Sequence, residues 1–153
     1  MIGIGSDHGG YELKEKVKAQ LALLEYACKD FGTSSLESCD YPDSGEAVAN
    51  CVASGECERG IVICTTGIGI SIAANKVKGV RAALCRDVDS AVMTRRHNDA
   101  NVLALGAKYT GERLAKKIVE AFLRTEFDGP RPDGERHKKR VDKIKAIESR
   151  NFK

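Results

Sequence analysis

Five short apolar runs, each followed by a stretch of helical period, limit what this chain can build. The runs are MIGIGS (1–6), YACKDFG (26–32), GIVIC (60–64), GVRAALC (79–85) and NVLALG (101–106). Between them, Leu13, Val17, Leu21 and Leu24 share one face of a helix predicted over Tyr11 to Tyr26. Ala47, Val48, Cys51 and Val52 mark a second helix after a polar loop, TSSLESCDYPDSG. A short helix is predicted over Gly69 to Lys76, and another over Asp87 to His97 with an acidic cap. Thr110 to Arg124 carries Leu114, Ile118 and Phe122 on one side, and a last helix, about 136–149, follows a turn-rich linker at 128–135. Such alternation predicts an α/β fold with a five-stranded, mostly parallel sheet. Right-handed crossovers then place helices on both faces, in three layers. The length suits one domain spanning 1–153.

Composition narrows the class. The chain is 42% hydrophobic and 31% charged, with no apolar run near the roughly 20 residues that cross a bilayer. Its first residues lack a basic segment followed by an apolar one, so the expectation is no signal peptide, a cytoplasmic location and no membrane partner. Six cysteines (28, 39, 51, 57, 64 and 85) include no C-x-x-C pair, which predicts free thiols rather than a disulfide framework or a zinc site. From Arg131 onward nine Lys/Arg face four Asp/Glu, a net +5 against −2 for the rest. Val141, Ile144 and Ile147 recur there at helical spacing, so the segment reads as a packed helix with a solvated basic face rather than a nucleic-acid arm.

In a parallel sheet the ligand sits beyond the carboxyl ends of the strands. Those ends are rich in polar residues and glycine: Ser6-Asp7-His8-Gly9, Gly32-Thr33, Cys64-Thr65-Thr66-Gly67, Arg86-Asp87 and Gly106-Ala107-Lys108. In CTTGIGIS a glycine turn between strand and helix can aim backbone N–H groups at an anion, and the same field favours a thiolate at Cys64. A packing thiol is the competing reading of that position. A phosphatase loop would carry arginine where Ile70 stands, and a P-loop would continue Gly-Lys-Ser/Thr. No local signature supports a thiol hydrolase built on Cys64 and His97. GIGSDHGG, with Asp30 ending the second strand, only loosely matches a dinucleotide fingerprint. His97 can serve simply as a helix C-cap, but Asn98 and Asn101 stand beside it.

Five blocks in order resemble the type B ribose-5-phosphate isomerases, in the family that also holds the galactose-6-phosphate isomerases: GSDHGG (5–10), DYPD (40–43), GIVICTTGIGISIAANK (60–76), RRHNDANVLALG (95–106) and RHKKRV (136–141). The resemblance implies a Rossmann-like α/β/α fold and interconversion of ribose 5-phosphate and ribulose 5-phosphate, a step of the pentose phosphate pathway, without metal or cofactor. It implies Cys64 as the general base and Thr66 as the group that hands a proton between the two sugar oxygens. Backbone N–H groups from Gly67, Ile68, Gly69, Ile70 and Ser71 would hold the enediolate. His97, helped by Asp7, would open the furanose ring; Tyr41 would lie beside Cys64 and Asn98 would bind sugar oxygens. His8, Arg136 and Arg140 would contact phosphate. The resemblance further implies a homodimer or homotetramer, with His97 and Asn98 supplied by the neighbour and the C-terminal helix packed on a partner subunit.

Three departures from that pattern stand out. Thr65 replaces a glycine, Lys108 replaces a phosphate-binding arginine, and the linker before Arg136 is longer. Two further readings fit the same residues: an isomerase of allose or galactose 6-phosphate, and a non-catalytic nucleotide or sugar-phosphate binding module.

Overall fold

The computed structural model describes residues 1–152. Its sheet is wholly parallel, in the order β2-β1-β3-β5-β4, from β1 (Ile2–Ser6), β2 (Cys28–Asp30), β3 (Arg59–Cys64), β4 (Ala82–Leu84) and β5 (Val102–Gly106). The helices are α1 (Tyr11–Leu23), α2 (Tyr41–Ala53), α3 (Ile68–Ala74), α4 (Val88–Asn98), α5 (Glu112–Arg124) and α6 (Glu135–Asn151). Residues alternating along the central strands feed two cores. Ile61, Ile63, Leu103 and Leu105 pack under α1, α4 and α5, while Val62, Cys64, Val102 and Ala104 pack under α2 and α3. The expected three layers are therefore present, and no helix among the described residues is long and apolar enough to cross a membrane.

Several details depart from the sequence reading. α2 starts at Tyr41, inside the presumed loop, because Pro42 suits a first helical turn where its missing N–H costs nothing. On α5 the buried stripe is Ala115, Ile118, Val119 and Phe122; Leu114 lies one position off it and is 37% exposed. On α6 only Val141 of the three apolar positions is buried, and Ile144 (41%) and Ile147 (52%) face outward. Cys51 and Cys57 are bonded to each other, contrary to the expectation of free thiols. The chain leaving α2 folds back on its last turn so that Cys57 N–H donates to Cys51 O (3.0 Å), a closure that a search for C-x-x-C spacing does not see.

Asp30 is not a free ribose acceptor. Both its oxygens accept from the fully buried Lys14 ammonium (2.7 and 2.8 Å), and Lys18 adds a third bond (2.8 Å). Lys14 also donates to Thr33 O, which ties α1 to the loop leaving β2. Burial alone would raise the Asp30 carboxyl, but the bonds from Lys14, Lys18 and Gly32 N–H outweigh it and hold it below its ordinary value. A carboxyl depressed on folding stabilises the protein above its unfolded pKa, about 3.9, and that stability is lost as pH falls through the folded value. Two buried arginines close the other end of the molecule. Arg59 Nη1 donates to Phe122 O (2.6 Å) and Leu123 O (3.0 Å), and Arg95 Nε donates to Thr125 O (3.1 Å), so the last carbonyls of α5 are satisfied.

Lys14→Ala leaves Asp30 with one lysine and opens a cavity under α1; we expect a loss of about 3 kcal/mol in urea unfolding at pH 7. We also expect a flatter dependence of stability on pH between 5 and 3 than in the wild type, measured by the same denaturation.

Candidate active site

The strand order reverses between β1 and β3, so their carboxyl ends frame the crevice where a ligand enters. The loops there are stitched together by backbone bonds. Asp7 N–H donates to Ile63 O (3.3 Å), Ala107 N–H to Cys64 O and Lys108 N–H to Thr65 O (both 2.9 Å). Glycine is required where chains touch. A Cβ on Gly10 would lie 2.5 Å from the Ile63 carbonyl oxygen, and one on Gly106 would strike the Thr66 carbonyl.

At the centre is the turn after β3. Cys64 is buried, and Gly67 N–H donates to its Sγ (3.1 Å), aiming a dipole at the sulfur. Gly67 caps α3 in the left-handed region (φ 78°), which is what turns that N–H back toward Cys64. Thr66 Oγ1 accepts from Ile68 N–H (3.2 Å), so its hydroxyl proton is free to be donated. Gly69 and Ile70 open the first turn of α3, where backbone N–H groups lack acceptors within the helix. Ser71 Oγ donates to Ile68 O (2.7 Å) and its N–H to Gly67 O (3.2 Å), while the Ile70 side chain is fully buried, so the N–H groups of Gly69 and Ile70 are the ones this turn leaves to an anion. The Tyr41 ring lies on Gly69: a Cβ there would meet ring carbons at 2.6 Å.

Asp7 and His8 border the same turn. Asp7 is buried and its carboxylate accepts Gly10 N–H (3.1 Å), capping a short 3-10 turn. His8 Nδ1 accepts from Cys39 N–H (3.1 Å), which leaves Nε2 as the ring nitrogen able to donate. Thr65 is exposed, and its side chain fills the space above Gly9 rather than leaning on Cys64. Lys108 is exposed at the rim of a cleft of about 480 Å³ that Thr65, Lys16 and Thr110 also line.

The other predicted residues lie elsewhere. α4 leaves β4 at the carboxyl edge and must return to the amino edge to begin β5, so His97 and Asn98, at its end, sit across the length of the sheet, about 15 Å away. Their turn is clamped. Asp99 accepts from Arg95 Nη1 (2.9 Å) and lies 3.4 Å from Arg81 Nη2, which also donates to Asp99 O (2.9 Å). Asn101, grouped with them by sequence, is structural: it accepts from Arg81 N–H (2.8 Å) and donates to Gly79 O (2.8 Å). α6 docks beside this end of α4, where Arg96 Nε pairs with Asp128 Oδ2 (3.0 Å) and Asp128 N–H donates to Arg96 O (3.0 Å). Arg136 and Arg140 are exposed one turn apart and, with Lys139 and Lys143, line a hollow of about 230 Å³, a setting for a dianion.

The sequence reading missed His137. It is buried between those arginines, and its ring stacks on His97 with centroids 4.1 Å apart and planes 8° apart. Burial first, then His97, Arg136 and Arg140, push its imidazole below the ordinary histidine value, with Asp128 pulling the other way. RHKKRV contained it, but nothing in the sequence joins residues 97 and 137.

Residues 2–144 match the family described as Ribose/Galactose Isomerase. The chain belongs to that family. It is 47% identical to Escherichia coli ribose-5-phosphate isomerase B over 149 residues, 97% of each chain. The solved ribose-5-phosphate isomerase B of Clostridium thermocellum superposes with a TM-score of 0.93 at 56% identity, covering 97% of each chain. A galactose-6-phosphate isomerase subunit of Clostridium acetobutylicum is 42% identical over 83% of this chain and 73% of its own length. Membership makes the protein a sugar-phosphate isomerase, and the binding-module reading falls away.

Gly69→Ala keeps helical backbone but drives a methyl into the Tyr41 ring. We expect normal thermal stability, an altered tyrosine environment in near-UV circular dichroism, and turnover lower by about tenfold through misplacement in the site.

Proposed function

We propose that the protein interconverts ribose 5-phosphate and ribulose 5-phosphate through a cis-enediolate, as a step of the pentose phosphate pathway. Cys64 is the base, and a second copy of the chain completes each site. The observation that carries this reading is the Gly67 N–H aimed at Cys64 Sγ beside unpaired N–H groups at the start of α3. Isomerisation needs a base that reaches the proton on C2, together with donors where negative charge develops on oxygen. Cys64 takes the C2 proton and returns it to C1. Thr66 passes a proton between O1 and O2, and within the Gly67-to-Ser71 backbone the N–H groups of Gly69 and Ile70, which the turn leaves without a partner, hold the enediolate oxygen. No metal or cofactor takes part in this scheme.

Ring opening and phosphate binding are assigned to the remaining groups. His97 of a second copy, with Asp7, moves the proton that opens the furanose, and Asn98 binds sugar oxygens. His8 through Nε2–H and Lys108, with Arg136 and Arg140 of the second copy, hold the phosphate. Ile68 and Ile72 on α3, with Tyr41 on Gly69, leave exposed apolar side chains beside the Cys64 turn that a second copy would cover, and Ile144 and Ile147 on α6 are exposed too. The similarity to a galactose-6-phosphate isomerase subunit gives the alternative substrate, a hexose 6-phosphate.

A coupled assay of ribose 5-phosphate conversion tests the assignment. Wild type should turn over, while Cys64→Ala should lose at least about 10³-fold in kcat, with ribose 5-phosphate binding by calorimetry kept within about threefold. Turnover of galactose or allose 6-phosphate with none of ribose 5-phosphate would overturn the substrate, and an active Cys64→Ala would overturn the base.

A further inference from the structure

His137 has no part in the scheme above, yet it is buried, titratable and in contact with His97. His97, Asp128 and His137 bring ligand-type atoms within 4.8 Å of one another, a spacing that a transition metal could use. Two features oppose a metal. Rings within 8° of parallel send their nitrogen lone pairs out side by side rather than toward one ion. Both Asp128 oxygens already face cations, Arg96 at 3.0 Å and Arg131 at 3.5 Å, and Arg136 and Arg140 add positive charge from α6. A further cation would enter a field of four arginines.

The same geometry suits a different task. His97 lies in the last turn of α4, two residues before the left-handed Asp99, and is only half buried, so packing within its own helix does not enclose its ring. The His137 ring is fixed: it is 5% exposed on the first turn of α6, and the Arg96–Asp128 pair anchors the segment before it. We propose that His137 is a positioning residue, whose buried ring lies flat against His97 and sets the plane in which His97 reaches the sugar. This rests on the ring-opening role given to His97. An uncharged His137 suits the task, since two stacked imidazolium rings would repel, and the depression of its imidazole by burial, His97, Arg136 and Arg140 keeps it so.

The test compares His137→Ala, which removes the stack, with His137→Phe, which keeps a flat ring. Kinetics with ribose 5-phosphate are paired with NMR of the histidine ring protons, which only His8, His97 and His137 contribute. We expect Ala to lower kcat by about tenfold or more with KM within about twofold, because a catalytic group has lost its orientation. Phe should recover most of that loss, and the His97 ring signal should stay upfield in wild type and Phe and move downfield in Ala. An Ala variant with full kcat overturns the proposal. So does a Phe variant as impaired as Ala with a raised KM, which would make His137 a direct substrate ligand. Absence of wild-type turnover would instead sink the ribose 5-phosphate reading, while the NMR comparison would still report whether the stack holds His97. If Ala fails to fold, Phe against wild type decides by the same two readouts.

Discussion

The polarity of the parallel sheet governs the whole arrangement. Five strands pointing one way, the last four each reached by a helix that runs back, divide the loops between a carboxyl edge and an amino edge. Residues that end strands gather at the first and residues that end helices gather at the second. Cys64, Thr66, Asp7, His8 and Lys108 therefore share one edge, while His97 and Asn98 are held at the other with Arg136 and Arg140 of α6. No side-chain rotation crosses about 15 Å of sheet. A site that uses both sets needs two chains, and the isologous contact of a twofold dimer would form two such sites at once.

Within the carboxyl edge, close approach does what side chains alone could not. Gly10, in the short turn before α1, and Gly106, at the end of β5, let neighbouring segments press on the exit of β3, and Gly67 turns an N–H onto Cys64. That packing also explains how Thr65 is tolerated where the family resemblance leads one to expect glycine. Its side chain sits over Gly9, away from the sulfur, and only its carbonyl joins the stitching to Lys108. The longer linker likewise keeps a firm seat, because Asp128 bonds to Arg96 before α6 begins.

The strands and most helices were legible because burial imposes period two or 3.6 on nearby residues. The Cys64 turn was legible because strand, cysteine, glycines and helix are consecutive. What was hidden depended on chain paths. Asp30 looked free until α1 brought Lys14 under it. Cys51 and Cys57 looked unpaired until the chain leaving α2 folded back, and the stack of His97 on His137 joins positions forty residues apart whose proximity only the docking of α6 creates. Ile144 and Ile147 carried a burial signal that one chain does not satisfy, which agrees with a second chain covering them.

Mixing two inactive variants tests the two-chain site most directly. Cys64→Ala and His97→Ala chains, unfolded together and refolded in equal amounts, should regain about a quarter of wild-type ribose 5-phosphate turnover: half the dimers are mixed, and each mixed dimer holds one intact site and one doubly damaged site. Activity that stays at the level of the separate variants, with mixed dimers present by native mass spectrometry, would mean that both residues act within one chain and would contradict the account.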